Sequence, residues 1–245
     1  MRHLSLKTRG VASPLLFVLL FLLGLISCGS LSSGSGSSGG QNVMIDWVNS
    51  LRFHGITYLA TSIRPQDGLP PGKLGPLFGT VQFKLDGNVH DPNYQMKDGD
   101  SAYLAAGTPV YIVKGYKPTF RLAAHFAGHI QLYEVDTNPQ ARTGADLLDI
   151  GRKVLFIGIN SGQDGVTQRG AIKDLHKVTS MVNMILASPV DANRIGQETL
   201  TYFVDFHLLD GTSVLRAYWL DAGVMQRGIL LPKAFGEAIR QAIVK

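Results

Sequence analysis

Tyr202–Leu220 reads YFVDFHLLDGTSVLRAYWL. Two runs rich in β-branched and aromatic residues, Tyr202–Leu209 and Thr212–Leu220, flank Asp210-Gly211. Asp-Gly suits a type I′ turn, whose two central residues both need positive φ. The stretch therefore predicts a β-hairpin with a two-residue loop. Such a loop sets Asp205 opposite Arg216 and Phe203 opposite Tyr218. Tyr202, Val204, Phe206, Leu208, Leu215, Ala217 and Trp219 then share an apolar face. Phe203, Asp205, His207, Arg216 and Tyr218 share the other. If helices cover the apolar face, this mixed aromatic and charged face stays open as a candidate partner surface. Read as a solvated cross-strand ion pair instead, Asp205 and Arg216 contribute well under ~1 kcal/mol.

Downstream, Asp221-Ala222-Gly223 turns the chain into a third strand, Val224–Leu230. Pro232 sits well at the first turn of a last helix. Phe235, Ala238, Ile239, Ala242 and Ile243 make its buried stripe, with Lys233, Glu237, Arg240 and Gln241 facing water. Upstream, Val154–Ile159 (VLFIGI) is apolar on both faces and predicts a central, covered strand. Ala171–Ala187 predicts a helix with Ala171, Leu175, Val178, Val182 and Ile185 on one stripe, stopped at Ser188-Pro189. Residues 152–245 thus form an α+β module ordered strand-helix-strand-strand-strand-helix. The segment 137–151 (TNPQARTGADLLDIG) is rich in polar and turn residues and is the candidate linker before it.

Residues 41–136 predict a β-rich module. Ile56–Thr61, Gly79–Leu85, Pro109–Gly115, Phe120–Phe126 and His129–Val135 are short and rich in strand formers, and Ala127-Gly128 reads as a tight hairpin turn. Five such strands suggest a small barrel or sandwich. Ile45–Ser50, with Trp47, fits a lead-in strand or a helical turn. The prolines and glycines of Arg64–Pro76 predict an irregular loop, and Asp86–Ser101 predicts a second.

The start of the chain gives an address. Arg2, Lys7 and Arg9, without an acid, precede an apolar run ending in Leu25-Ile26-Ser27-Cys28 and the tether GSLSSGSGSSGG. The uninterrupted apolar part, Leu15–Ile26, is shorter than the roughly 20 residues of a spanning helix. Leu25-Ile26-Ser27-Cys28 resembles the lipobox of bacterial prolipoproteins. That resemblance implies cleavage before Cys28, a diacylglyceryl group on its sulfur, residues 1–27 as signal peptide, and 28–40 as acylated cysteine and flexible tether. The expected place is the cell membrane, on the extracytoplasmic side, lipid-anchored. Cys28 is the only cysteine, so no disulfide supports the folded part. Asp98–Tyr116 and Tyr202–Gly223 also resemble segments of envelope lipoproteins of Gram-positive bacteria, which adds to the address and transfers no functional residue.

Composition limits the partners. The formal charge of +5 falls to +2 once the three leader cations are removed, and no dense Lys/Arg cluster remains, so nucleic acid is not an expected partner. Nucleophile signatures such as G-x-S-x-G and S-x-x-K are absent, as is the P-loop pattern. His125 and His129 straddle the Ala127-Gly128 turn with no third metal ligand nearby in sequence. The loop Asp86–Asp100 is rich in Asx, yet the EF-hand positions for Gly and Glu hold Asp91 and Lys97. The expectation is a binding or interaction module at the cell envelope, meeting membrane lipid through Cys28 and an envelope protein or wall component. No catalytic residue, metal or cofactor is assigned. The alternative is an envelope hydrolase or metal-dependent enzyme using His125 and His129 or the Asp86–Asp100 loop.

Overall fold

A computed structural model describes residues 45–61, 69–194 and 199–243, all within one compact unit. Cys28, the apolar leader and the tether lie outside the described residues. The fold is α+β and β-rich, with two sheets and two α-helices among the described residues.

The first sheet contains β1 (Ser50–Phe53), β2 (Ile56–Ala60), β3 (Leu74–Thr80), β4 (Phe83–Lys84), β5 (Asp100–Ser101), β6 (Pro109–Val113), β7 (Arg121–Phe126) and β8 (His129–Thr137). They lie in the order β3-β6-β7-β8-β2-β1-β5-β4 and curl into a half-barrel. Ala127 (φ 48) and Gly128 (φ 82) close the β7–β8 hairpin as expected, setting Phe126 opposite His129. Period-2 alternation then puts Tyr58, Leu122, Tyr133 and Val135 on one face of the sheet, where all four are buried in the main core.

Several strand boundaries differ from expectation, and Asp100–Ser101, read as the end of an irregular loop, forms β5. Leu74–Pro76, read as irregular loop, begins β3. β3 is an edge strand, where the missing Pro76 N–H deprives no inner ladder. Gly79–Leu85, read as one strand, breaks in two. The N–H groups of Val81 and Gln82 donate to Thr108 and Gly99, so β4 joins the opposite edge of the sheet. Ile45–Val48, with Trp47, has no regular structure.

The second sheet contains β9 (Val154–Ser161), β10 (Gln168–Ile172), β11 (Tyr202–Leu208), β12 (Ser213–Trp219), β13 (Val224–Met225) and β14 (Ile229–Leu230), in the order β10-β9-β11-β12-β13-β14. Its helices are α1 (Leu175–Ala187) and α2 (Lys233–Ala242). α1 starts later than predicted: Ala171 belongs to β10, and the Asp174 carboxylate caps the helix by accepting from Lys177 N at 2.9 Å. Leu175 is exposed, and Met181 joins Val178, Val182 and Ile185 on the buried stripe. α2 follows expectation, with Phe235 and Ile239 buried and the Phe235 ring edge-on to Tyr218 at 5.3 Å. The predicted strand Val224–Leu230 folds back on itself, because Arg227 (φ 72) and Gly228 (φ 77) turn left-handed between β13 and β14.

The β11–β12 hairpin forms one residue out of the predicted register. Tyr202 faces Tyr218, Val204 faces Arg216 and Asp205 faces Leu215. Of Asp210 and Gly211, only Gly211 has positive φ (85), so no type I′ turn is made. Leu208 N donates to Thr212 O and Gly211 N to Leu208 O, giving a three-residue loop with glycine in the left-handed position. The Asp210 carboxylate favours this loop by accepting from Thr212 N (3.0 Å) and Thr212 Oγ1 (2.7 Å). A one-residue slip turns a strand over. Val214, Arg216 and Tyr218, not Leu215, Ala217 and Trp219, therefore share the covered face with Val204 and Phe206.

The segment expected to link two modules is packed. Ala141, Leu147, Leu148 and Ile150 are buried around a short 3-10 helix at Gly144–Asp146. A Cβ at Gly144 would come within 2.0 Å of Ile185 O, so the backbones touch directly there. One continuous core takes residues from the first sheet, this segment, the second sheet and both helices.

A buried ionic cluster ties the two sheets. Arg121 on β7, with a fully buried side chain, donates to Glu134 Oε1 through Nε (3.0 Å) and Nη2 (2.6 Å). It also crosses to the hairpin loop, donating to Thr212 Oγ1 (2.8 Å) and Ser213 O (3.0 Å). Arg216 of β12 meets Glu134 Oε2 from the other side at 2.9 Å. Burial pushes the Glu134 pKa up, but Arg216 and Arg121 outweigh it and hold the group below its ordinary 4.5. Tyr116 adds a further link, donating its hydroxyl proton to Asp210 Oδ2 at 2.8 Å. Among the described residues no helix is long and apolar enough to cross a membrane.

Candidate functional site

The face of the second sheet away from the helices forms the floor of a pocket of about 830 Å³, and the ends of β2 and β8 form one wall. The floor follows from register. Phe156, His207 and Ser213 make one cross-strand row, Gly158, Asp205 and Leu215 the next, and Asn160, Phe203 and Ala217 the third. Gln168 on β10 extends the third row beside Asn160. Leu59–Thr61 and Glu134–Asp136 supply the wall, while Val166, Gln226 and Arg227 reach in from loops.

Two side chains dominate the middle of the floor. His207 Nε2 lies 3.1 Å from Asp205 Oδ2, and the imidazole stacks on the Phe156 ring at 4.0 Å with planes 13° apart. Gly158 lies across from Asp205, and a Cβ there would touch His207 Nε2 at an ordinary contact distance of 3.5 Å. Burial raises the Asp205 pKa above its ordinary 3.8, with Glu134 adding to the rise, against the opposing pull of His207 and Ser213. Asp205 Oδ1 is buried without a partner at full hydrogen-bond geometry, while the nearby Ser213 hydroxyl favours the charged form. An unsatisfied buried acceptor costs about 1–3 kcal/mol.

The remaining charges of the pocket are matched. Glu134 is shared by two guanidiniums, and Asp136 pairs with Arg227. The loop walls are fixed too, since Asn160 Nδ2 donates to Gly165 O at 3.0 Å and Gln226 Oε1 accepts from Ala217 N at 3.2 Å. At the rim Val166 is 76% and Leu215 40% exposed, giving apolar edges to a polar floor.

The sequence-derived surface is half assembled. Phe203, Asp205 and His207 come together in the pocket floor. Tyr218, on the opposite face of the sheet, does not join them; Arg216 starts from that face too, but its side chain reaches the pocket lining beside Glu134. Arg216 is consumed by Glu134, and Tyr218 is core, its pKa pushed up to about 12 by burial. Phe156, Asn160, Gly158 and Arg227 were not singled out from sequence. Phe156 was hidden in a run, VLFIGI, whose apolar residues all read as core; it is only half-buried and lines the pocket with Asn160, so β9 is not covered on both faces.

The other candidates fall elsewhere. His125 pairs across with Ile130 and His129 with Phe126, which puts the two imidazoles on opposite faces of the first sheet. In the Asp86–Asp100 loop the carboxylates hold the chain itself. Asp98 accepts from Gly55 N at 2.8 Å, Asp100 from Tyr94 Oη (2.9 Å) and Lys97 N (2.7 Å), and Asp91 from Asn93 N at 2.9 Å. Among the described residues no group of three or more His, Cys, Asp or Glu is placed to hold a metal ion. No protein-family model, curated protein or solved structure matches the chain.

Proposed function

We propose that the chain is a lipid-anchored extracytoplasmic binding module of the cell envelope, engaging an envelope protein or wall component through the pocket between its sheets. The observation that carries the binding role is that pocket: a space of about 830 Å³ whose floor combines the stacked Phe156–His207 pair with the part-exposed Asp205 carboxylate. Its size falls within the roughly 300–1,000 Å³ of small-ligand sites. The anchor rests on the lipobox resemblance at Cys28, and a thioether-linked diacylglyceryl group carries two chains, enough for stable membrane attachment. The metal-dependent alternative is less well supported, since His125 and His129 point apart and the carboxylates of the Asp86–Asp100 loop are engaged with the chain itself.

Two measurements test the two halves of this reading. Full-length chain expressed in bacterial cells sediments with membranes, and Cys28→Ser releases it; equal fractionation of the two forms would refute the anchor. The acyl-free Cys28→Ser chain binds isolated envelopes, and Val166→Trp or Leu215→Arg at the pocket rim abolishes that retention. Both rim residues are exposed, so neither change disturbs the core. Undiminished retention by both rim variants would refute the pocket as the binding site.

A further inference from the structure

We propose that the pocket takes a neutral, polyhydroxylated ligand with an apolar face: a short saccharide. The inference rests on the pocket being the binding site and adds the chemistry of what enters it.

Charge is the first discriminator. Glu134 is neutralised by Arg121 and Arg216, Asp136 by Arg227, and Asp205 lies against His207. Among the described residues of the lining, an anion meets no guanidinium free of a carboxylate, and a cation meets no carboxylate free of a basic partner. A fully charged ligand would have to break one of these pairs to be recognised. A purely apolar ligand fares no better, because it would strip water from the part-exposed Asp205 and His207 side chains and from the amides of the lining without replacing its hydrogen bonds.

A hydroxyl meets both demands. It donates to the Asp205 carboxylate, whose side chain keeps 16% exposure, and hydroxyls further along a ring pair with the amide groups of Asn160, Gln168 and Gln226 that the wall contacts leave over. The apolar C–H face of a pyranose has partners as well. The Phe203 ring lies beside the Gly165 backbone, where an added Cβ would stand 3.4 Å from it, and Val166 and Leu215 edge the mouth. The row spacing of the sheet sets amide, aromatic and carboxylate side by side, the alternation that an amphipathic sugar ring presents along its own edge.

The test uses the acylated mature chain in a detergent without a sugar headgroup, titrated calorimetrically with maltotriose, cellotriose and triacetylchitotriose. Trigalacturonic acid and deacetylated chitotriose serve as anionic and cationic controls. At least one neutral trisaccharide binds and neither control does. Asp205→Ala and Phe203→Ala each weaken that binding about tenfold or more, a change of ~1.4 kcal/mol per decade. Leu175→Ala, on the exposed side of α1, leaves it unchanged. Co-sedimentation with insoluble wall glycan then tells a polymer end from a free sugar. Absence of binding by every neutral probe, or binding indifferent to Asp205→Ala, overturns the proposal. If envelope retention still depends on the Val166 rim in that event, the ligand class is wrong and the pocket reading stands. If both tests fail, the pocket itself is not the site.

Discussion

Glu134→Gln isolates the tie between the sheets. The change keeps the shape of the side chain and removes its charge, leaving the guanidiniums of Arg121 and Arg216 facing one another across a neutral amide. Their side chains are 0% and 10% exposed, so solvent screens that repulsion poorly. Removing one partner from a buried ion pair costs roughly 3–5 kcal/mol. Against a total stability of about 5–15 kcal/mol this is a large fraction. With a urea slope of roughly 2–3 kcal/mol per molar, the unfolding midpoint falls by roughly 1–2 M. Lys84→Ala, which breaks the solvent-exposed Lys84–Asp86 pair, shifts stability by less than about 1 kcal/mol and serves as the control. Acid supplies a second signature. The folded pKa of Glu134 is depressed below 4.5, so its contribution is fully present above that value and is lost as pH falls through the folded pKa. The gap between wild type and Glu134→Gln therefore closes in acid. Replacing all three members with apolar residues of similar volume restores much of the loss. A Glu134→Gln midpoint within about 0.2 M of wild type at neutral pH would refute the reasoning, because it would mean the charge is not confined between the sheets.

Tyr218→Ala lowers stability by roughly 3–5 kcal/mol and Leu215→Ala by less than about 1 kcal/mol, measured by urea denaturation; the reverse order would restore the two-residue hairpin register. Gly144→Ala drives a Cβ into the Ile185 carbonyl and costs roughly 3 kcal/mol or more, seen as a lowered Tm; an unchanged Tm would show that residues 137–151 are not packed against α1. Asp205→Asn raises Tm at pH 7. The folded pKa of Asp205 lies above its ordinary 3.8, so the fold favours the protonated form and loses stability as pH rises from that value through the folded pKa. The amide removes that cost, its advantage fades in acid, and a lower Tm at pH 7 would contradict the burial of the carboxylate.

Much of the fold was legible because its signals are local. Ala127-Gly128, Pro189 and the stripe of α2 each specify a turn, a stop or a face within a few residues. The hairpin at Asp210-Gly211 was legible as a hairpin but not in register. Asp-Gly serves two-residue and three-residue loops alike, and the choice was made by hydrogen bonds from Thr212 and from Tyr116, far away in the chain. That single slip moved Arg216 and Tyr218 off the face where Phe203, Asp205 and His207 stand. Phe156 escaped notice for a different reason: an apolar side chain lining a pocket and one filling a core leave the same mark in a sequence. The Arg121–Glu134–Arg216 cluster carried no mark at all, since nothing in the local pattern says which cation will find which acid.

Because the ionic cluster draws Arg121 and Glu134 from one half of the chain and Arg216 from the other, the halves are not interchangeable parts. A fragment ending in residues 137–151 would keep a carboxylate already matched to Arg121, whereas the complementary fragment would inherit a stranded guanidinium on a bare sheet. Neither piece would own the cavity, whose floor and wall come from opposite sides of the cut. Shuffling halves between divergent homologues should therefore succeed only when the acid and both of its cations travel together.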